Sequence, residues 1–176
     1  PETRKTILHK FNQTYRSHPR DKAPHQFFEA QARKTPQKTA AVHQDQTITY
    51  QKLDQAANRL AHCLKANNIK NQDVLALDIH PDNYLEIPRL ILASHKAGAA
   101  CLILDREHPQ ARLEGILRQS QPKLLLSDRK NPNYGLPGQI PALDINAPDI
   151  KEYPSTRPPG QGLKPGDTAF LVFTSG

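Results

Sequence analysis

The sequence predicts an α/β fold, a mostly parallel sheet covered by helices. Three observations carry that reading. Short unbroken apolar runs recur at 74–77, 100–104, 123–126 and 169–173, and a run without polar alternation suits a strand buried on both faces. Between them lie segments whose apolar residues advance in steps of three and four, the period of a helix with one buried stripe. Strands alternating with such helices build parallel βαβ units with right-handed crossovers.

The elements follow in order. Residues 1–24 have no sustained period and contain His18-Pro19 and Ala23-Pro24; they read as an extended linker with one short helical turn near Ile7 and Leu8. Residues 25–34 place Phe28 and Ala32 four apart on a short helix ended by Thr35-Pro36. In 39–50 two β-prone runs flank a polar turn at 43–46, a hairpin pattern. Residues 50–67 are the clearest helix. Leu53, Ala56, Ala57, Leu60, Ala61 and Leu64 form its stripe, while Gln51, Gln55, Asn58, Arg59 and His62 lie off it. Thr49 offers a hydroxyl cap.

After the strand at 74–77, residues 83–97 form a helix opened by Asp82 and closed by Gly98. Pro88 removes a hydrogen bond there, so the helix either begins near Ile87 or kinks. Past the strand at 100–104, Pro109 occupies the first position of another helix, with Leu113, Ile116 and Leu117 facing inward and Pro122 marking its end. Residues 131–166 interrupt the alternation. They hold half of the sixteen prolines, and only Ala142 to Ile145 suggests a strand. A stretch this long is a functional loop or a connector between layers.

Composition narrows the function. The chain has 176 residues, room for one domain or part of a larger one. It has no methionine, so an excised or processed segment is expected. The apolar share is 36% and mean hydropathy −0.70, yet the apolar residues are grouped, as folding requires. No stretch approaches the roughly 20 apolar residues of a membrane span, and the N-terminus has no apolar core of a signal peptide. No membrane association and a cytoplasmic location are therefore expected. The net charge of +7 is concentrated: residues 1–38 carry nine Lys/Arg against three Asp/Glu, the remainder fifteen against fourteen. The basic arm lacks interleaved aromatics, so it reads as a solvated linker or a docking arm for an acidic neighbouring domain, and no nucleic acid is expected. Cys63 and Cys101 sit in apolar patterns without a C-x-x-C and read as buried small hydrophobes. The eight histidines show no ligand spacing, so no metal site is predicted. His80, Asp82 and Asp128 have no evident partners and read as solvated loop and cap positions.

Three motifs then fall in sequence: ITYQKL at 48–53, HKAGAACLILD at 95–105 followed by His108-Pro109 and Arg112-Leu113, and FLVFTSG at 170–176. Their order and spacing resemble the first three core motifs of the adenylate-forming, AMP-binding enzymes in the nonribosomal peptide synthetase branch. There the motifs run L-T-Y-x-E-L, L-K-A-G-x-A-Y-L-P-L-D with a nearby Y-P-x-x-R-L, and Y-T-S-G-[ST]-T-G-x-P-K-G. The stretch Phe27-Phe28-Glu29-Ala30-Gln31-Ala32 with Thr35-Pro36 and Ala41-Val42 looks like the opening of such domains, and Asn12-x-Thr14 resembles a condensation–adenylation linker. The chain departs from the family at Lys52, Pro88, Ala99, Cys101 and Ile103, and at Arg106, which follows Asp105 where proline is common. All are scaffold positions.

The resemblance implies an interdomain linker at 1–24 and, at 25–176, the N-terminal portion of an adenylation domain, truncated within its phosphate-binding loop. FLVFTSG alone fits an ordinary turn after a strand. Within the motif series it reads as a phosphate cradle in which Thr174, Ser175 and Gly176 meet ATP phosphates through hydroxyls and backbone N–H groups. HKAGAACLILD reads as structural, with Gly98 capping a helix and Asp105 ordering the loop toward His108. For the parent the resemblance implies an amino acid activated by ATP with Mg²⁺ to aminoacyl-AMP, then loaded on the phosphopantetheine of a peptidyl carrier domain. A condensation domain upstream and the remainder of the adenylation domain downstream are the implied partners, and the fragment alone is expected to be inactive, with no catalytic residue of its own. Two alternatives stay open: a non-catalytic, adenylation-like docking module, or a segment of an acyl-CoA or fatty-acyl-AMP synthetase. An unpaired apolar strand at 169–173 further predicts poor solubility.

Overall fold

The computed structural model describes residues 2–14, 17, 19–130, 132–135, 140–160 and 162–174, and they form the predicted α/β layers. The arm is more helical than expected. α1 (Glu2–Lys5) runs into a wider turn at Thr6–Lys10, and Asn12 Nδ2 closes it by donating to the Ile7 and Leu8 carbonyls at 3.2 and 3.0 Å. Ile7, Leu8 and Phe11 remain exposed.

Pro24 opens α2 (Pro24–Lys34), where its missing N–H is no loss, and Gln26 Oε1 accepts the Ala23 N–H at 2.8 Å. The buried face is His25, Glu29 and Ala32. Phe28, expected inside with Ala32, is half-buried against the Tyr50 ring, 5.4 Å between centroids. β1 (Thr39–His43) and β2 (Gln46–Thr49) form the predicted antiparallel hairpin. Thr49 Oγ1 accepts the Lys52 N–H at 3.3 Å and caps α3 (Tyr50–Ala66). Leu53, Ala57, Leu60, Ala61 and Leu64 are buried along its stripe.

β3 (Val74–Asp78) leads through a 3₁₀ turn at Pro81–Glu86 into α4 (Ile87–Ala97). Of the two readings of Pro88 the first holds: the α-helix starts at Ile87, so the proline falls in the first turn, where it breaks no hydrogen bond. Gly98, at φ +95°, closes the helix. β4 (Ala100–Leu104) precedes α5 (Gln110–Ser120), and Pro109 caps that helix rather than opening it. β5 (Leu124–Ser127), β6 (Ala142–Asp144) and β7 (Phe170–Leu171) complete the set; β7 is shorter than the apolar run around it.

The five strands β6-β5-β3-β4-β7 are parallel throughout. The chain steps from β3 to β4 through α4, then doubles back past β3 to β5 through α5. Opposite steps with right-handed crossovers put the two helices on opposite faces. Strand alternation matches: Leu75 and Leu77 join α3 and α4 in one core, Ala76 and Leu125 join Leu113 and Leu117 of α5 in the other.

The connection from β6 to β7 crosses the outside of α3. A proline-rich extended segment makes no hydrogen bonds within itself, so its carbonyls need donors. The polar face of α3 supplies them: Asn58 Nδ2 to Ser155 O at 2.8 Å, Arg59 to the Lys151 and Tyr153 carbonyls, His62 Nε2 with Thr156 O at 3.1 Å, and Lys65 Nζ to Pro159 O at 2.7 Å. Lys96 anchors the same region from below. Its ammonium is 1% exposed and meets Asp54 at 2.7 Å, Asn58 Oδ1 at 2.6 Å and Glu29 at 3.2 Å. Arg157 reaches Glu29 from outside at 3.4 Å.

Candidate functional site

In an open parallel sheet, ligands settle at the carboxyl ends of the strands, where neighbouring crossovers leave on opposite faces. Here that place lies between β3 and β4, with β7 beside β4. β7 pairs Phe170 with Cys101 and Leu171 with Leu102. Thr174 follows three residues past the last paired residue, Leu171. Thr174 is exposed; Ser175 and Gly176, the other predicted phosphate ligands, lie outside the described residues. The segment before Thr174 borders a cleft of about 240 Å³ with Leu102, Ile103, Asp105, His108 and Phe173 among its walls.

Two ladder residues alone fix a strand poorly, and side chains add to them. The Ala169 carbonyl accepts the Cys101 N–H at 2.9 Å and pairs with His95 Nε2 at 3.1 Å. A carbonyl only accepts, so Nε2 carries the proton. The His95 ring also meets Phe170 edge-on at 5.2 Å, and burial lowers its pKa, favouring the neutral form. One residue earlier, Gln72 Oε1 accepts the Thr168 N–H at 3.0 Å. The His95 backbone carbonyl takes the Leu163 N–H at 2.8 Å, holding the incoming connection.

Asp105 orders its loop as expected: Oδ1 accepts the Glu107 N–H at 3.0 Å, and its own carbonyl accepts the His108 N–H at 3.1 Å. His80 and Asp82 are exposed, as predicted, and His80 Nδ1 caps the Asp82 N–H at 3.3 Å. Asp128 is the correction. Its side chain is 5% exposed and fully engaged, accepting from the His80 N–H at 3.0 Å, from Asn83 Nδ2 at 2.7 Å and from Arg106. Burial works to raise its pKa, but these donors outweigh it and hold the carboxyl low. Arg106, a departure from the family motif by sequence, sits at the centre. Nε meets Asp78 Oδ1 at 2.6 Å and Nη2 donates to the Asp78 carbonyl at 2.7 Å and to Asp128. Asp78, fully buried, also accepts from Ser127 Oγ at 2.7 Å. The buried Tyr134 hydroxyl lies beside Asp78 without a hydrogen bond of good geometry, and burial first, then Asp78, raises its pKa. Sequence reading passed over Asp78 entirely. The usable signal was an aspartate at or just past the end of each of three buried runs, at 78, 105 and 128, with Arg106 directly after the second.

Both cysteines are free and buried. Burial raises the Cys63 thiol and pushes Cys101 up to about 12, so neither is a thiolate at neutral pH. Among the described residues no group of three His, Cys, Asp or Glu could hold a metal ion, and no helix is long and apolar enough to cross a membrane.

Relatives share this arrangement of sequence and fold. The AMP-binding enzyme family matches residues 28–176. Tyrocidine synthase 3 of Brevibacillus parabrevis is 34% identical over 180 residues, covering 99% of this chain and 3% of that protein. Bacitracin synthase 3 of Bacillus licheniformis is 30% identical over 175 residues, again covering 99% of this chain and 3% of that protein. The chain thus spans a small part of the curated relatives it matches. Among solved structures, the nonribosomal peptide synthetase FmoA3 in its AMPPNP-bound form superposes with a TM-score of 0.79 at 22% identity, over 97% of this chain and 18% of that one. The N-terminal subdomain of Klebsiella oxytoca NpsA gives 0.74 at 23%, over 90% and 40%. Those two likenesses establish the fold, and the sequence match over nearly the whole chain establishes the kinship: this chain belongs to the AMP-binding enzyme family, and its relatives are nonribosomal peptide synthetases.

Proposed function

We propose that residues 25–176 are the first part of the large subdomain of an amino-acid-activating adenylation domain, preceded by an interdomain linker at 1–24. The observation that carries this reading is the exposed Thr174, three residues past the parallel edge strand β7 and inside the third of three ordered family motifs. Thr174, Ser175 and Gly176 would form the front of a cradle for ATP phosphates, with hydroxyls and backbone N–H groups as donors. AMPPNP bound to the similarly folded FmoA3 agrees with a nucleotide there. This chain offers no carboxylate cage for Mg²⁺ among its described residues; the ion would be held largely by the triphosphate itself, as Mg²⁺ commonly is.

The reaction of the whole domain would run in two transfers. An amino-acid carboxylate oxygen attacks the α-phosphorus of ATP, and the bond to the β-phosphate oxygen breaks, releasing pyrophosphate. A phosphopantetheine thiol on a carrier domain then takes the aminoacyl group and AMP leaves. The structure of an adenylation–carrier fusion, NpsA-ThdA, agrees with that partner; an upstream condensation domain is the second. The chemistry is positioning and charge stabilisation, and of this only the phosphate grip lies in residues 1–176.

Amino-acid-dependent exchange of labelled pyrophosphate into ATP tests the proposal. The full-length protein should exchange with at least one amino acid, and Thr174→Ala should raise its KM for ATP. Residues 1–176 alone should show none. Exchange by those residues alone refutes the fragment reading; no exchange by the full-length protein with any amino acid refutes activation.

A further inference from the structure

We propose that Arg106 is a positioning residue for the phosphate loop: its guanidinium ties the carboxyl ends of β3, β4 and β5 into one stiff edge and offsets the buried negative charge of Asp78 and Asp128 there. The part concerning phosphate rests on the nucleotide reading above; the part concerning the edge does not.

The cross-link is built from both ends. Arg106 lies two residues past β4, Asp78 is the last residue of β3, and Asp128 directly follows β5. The arginine side chain is 9% exposed and its two partners 0% and 5%. Each aspartate is held by further donors, Asp78 by Ser127 and Asp128 by Asn83 and the His80 N–H. One side chain therefore joins the loops that follow three adjacent strands. A planar fork with several fixed donors suits this, which a lysine cannot reproduce.

The loop held this way is the wall of the candidate site. Asp105 and His108 line the same cleft as Phe173, and Arg106 sits between them in the chain. A proline, common in the family at this place, would stiffen the backbone by fixing φ. Arg106 achieves stiffness through a cross-link instead. Its charge matters as well. Asp78, Asp105 and Asp128 place three carboxylates at the edge where a polyanion is to bind, and two of them are buried. Without Arg106 those two would lose the cation that pairs with them, at a sheet edge where buried charges are poorly screened.

Two variants test this, because Arg106→Gln alone strands two buried carboxylates and risks misfolding. Arg106→Gln/Asp128→Asn removes the cross-link while removing one of those charges. In that double variant of the 176-residue chain, backbone hydrogen exchange should accelerate tenfold or more at Glu107 and His108, whose amides are held by Asp105. Amides in α3 and α4 should stay within twofold. Arg106→Lys, which keeps charge without the fork, should fall between the double variant and the parent. Exchange within twofold of the parent at both amides overturns the proposal. In the full-length protein, Arg106→Gln/Asp128→Asn should raise KM for ATP at least tenfold while the KM for the amino acid holds; an unchanged KM for ATP overturns the phosphate part. If the unmodified full-length protein exchanges no pyrophosphate, the activation reading falls instead, and hydrogen exchange alone decides the role of Arg106.

Discussion

Replacing Lys96 by methionine is the most informative perturbation of this fold. The ammonium is 1% exposed and meets two carboxylates and one amide oxygen, at 2.7 Å (Asp54), 3.2 Å (Glu29) and 2.6 Å (Asn58). Methionine keeps most of the volume, so cavity formation contributes little; the loss is electrostatic. Asp54, with its side chain 26% exposed, recovers water, but Glu29, at 6%, does not. Glu29 retains only Arg157, itself half in solvent at 3.4 Å. Removing one partner of a buried ion pair costs about 3–5 kcal/mol, and the partly wet Asp54 and the remaining Arg157 place Lys96→Met at the lower end, about 3 kcal/mol. In a chain of this size each kcal/mol moves Tm by about 2–4 °C, so a drop of about 6–12 °C is expected, a sizeable part of a total stability of about 5–15 kcal/mol. Urea unfolding followed by circular dichroism measures it, alongside Lys96→Met/Glu29→Gln. The double variant should regain at least half of the loss, because a neutral amide tolerates burial better than an orphaned carboxylate. A Lys96→Met loss below about 1 kcal/mol, or a double variant no better than the single, refutes the electrostatic account.

Other parts of the structure give further outcomes. His95 has its pKa lowered by burial from the ordinary 6.5, so on acidification the unfolded chain takes up that proton first; its contribution is complete above about pH 6.5 and is lost as pH falls through the folded value. His95→Gln, which keeps a donor for the Ala169 carbonyl, should flatten that acid slope in Tm against pH, and an identical slope contradicts the assignment. Gly162→Ala places a Cβ 2.5 Å from the His95 carbonyl oxygen at φ +66°; strain of about 1–3 kcal/mol should lower Tm by several degrees, and an unchanged Tm removes the steric argument. Both thiols should resist a maleimide until urea unfolds the chain, and labelling of Cys101 in the native state at pH 8 contradicts its burial. Ile103, Phe170 and Val172 are 48%, 43% and 80% exposed at the edge strand, so the isolated chain should self-associate on sizing; a monodisperse monomer at high concentration argues against that.

The layers were legible because burial writes itself into apolar runs. The parallel order, the hairpin, the α3 stripe and the left-handed Gly98 all follow from period and punctuation. What stayed hidden was polar. Asn58, Arg59 and His62 lie off the α3 stripe, and a helical wheel assigns such residues to water. They instead feed carbonyls that proline-rich backbone leaves without partners, a requirement set by residues 151–159 and invisible from α3 itself. Glu29 and Asp128 escaped for the same reason: their partners are 67 and 22 residues away in the chain, at Lys96 and Arg106. Periodicity reports which face is apolar, and says nothing of which polar groups find one another.

That blindness also hides a link between stretches that look unrelated in the sequence. Lys96 belongs to HKAGAACLILD and Glu29 to the opening FFEAQA, strings that share no pattern in sequence. In the fold they form one buried ion pair, with Asp54 just past the end of ITYQKL as the second carboxylate. A buried charge survives only with its partner in place, so a residue change in one string is costly unless the others change with it. Glu29 in the opening stretch, Asp54 just past the first motif and Lys96 in the second thus meet in one electrostatic junction that fastens α2 and α3 to α4. The third motif stands apart from that junction: β7 is held by His95, Gln72 and two ladder residues, and ends exposed. Restraint at the junction and exposure at Thr174 divide the chain into a part that supports and a part at the surface, where the proposed phosphate grip begins.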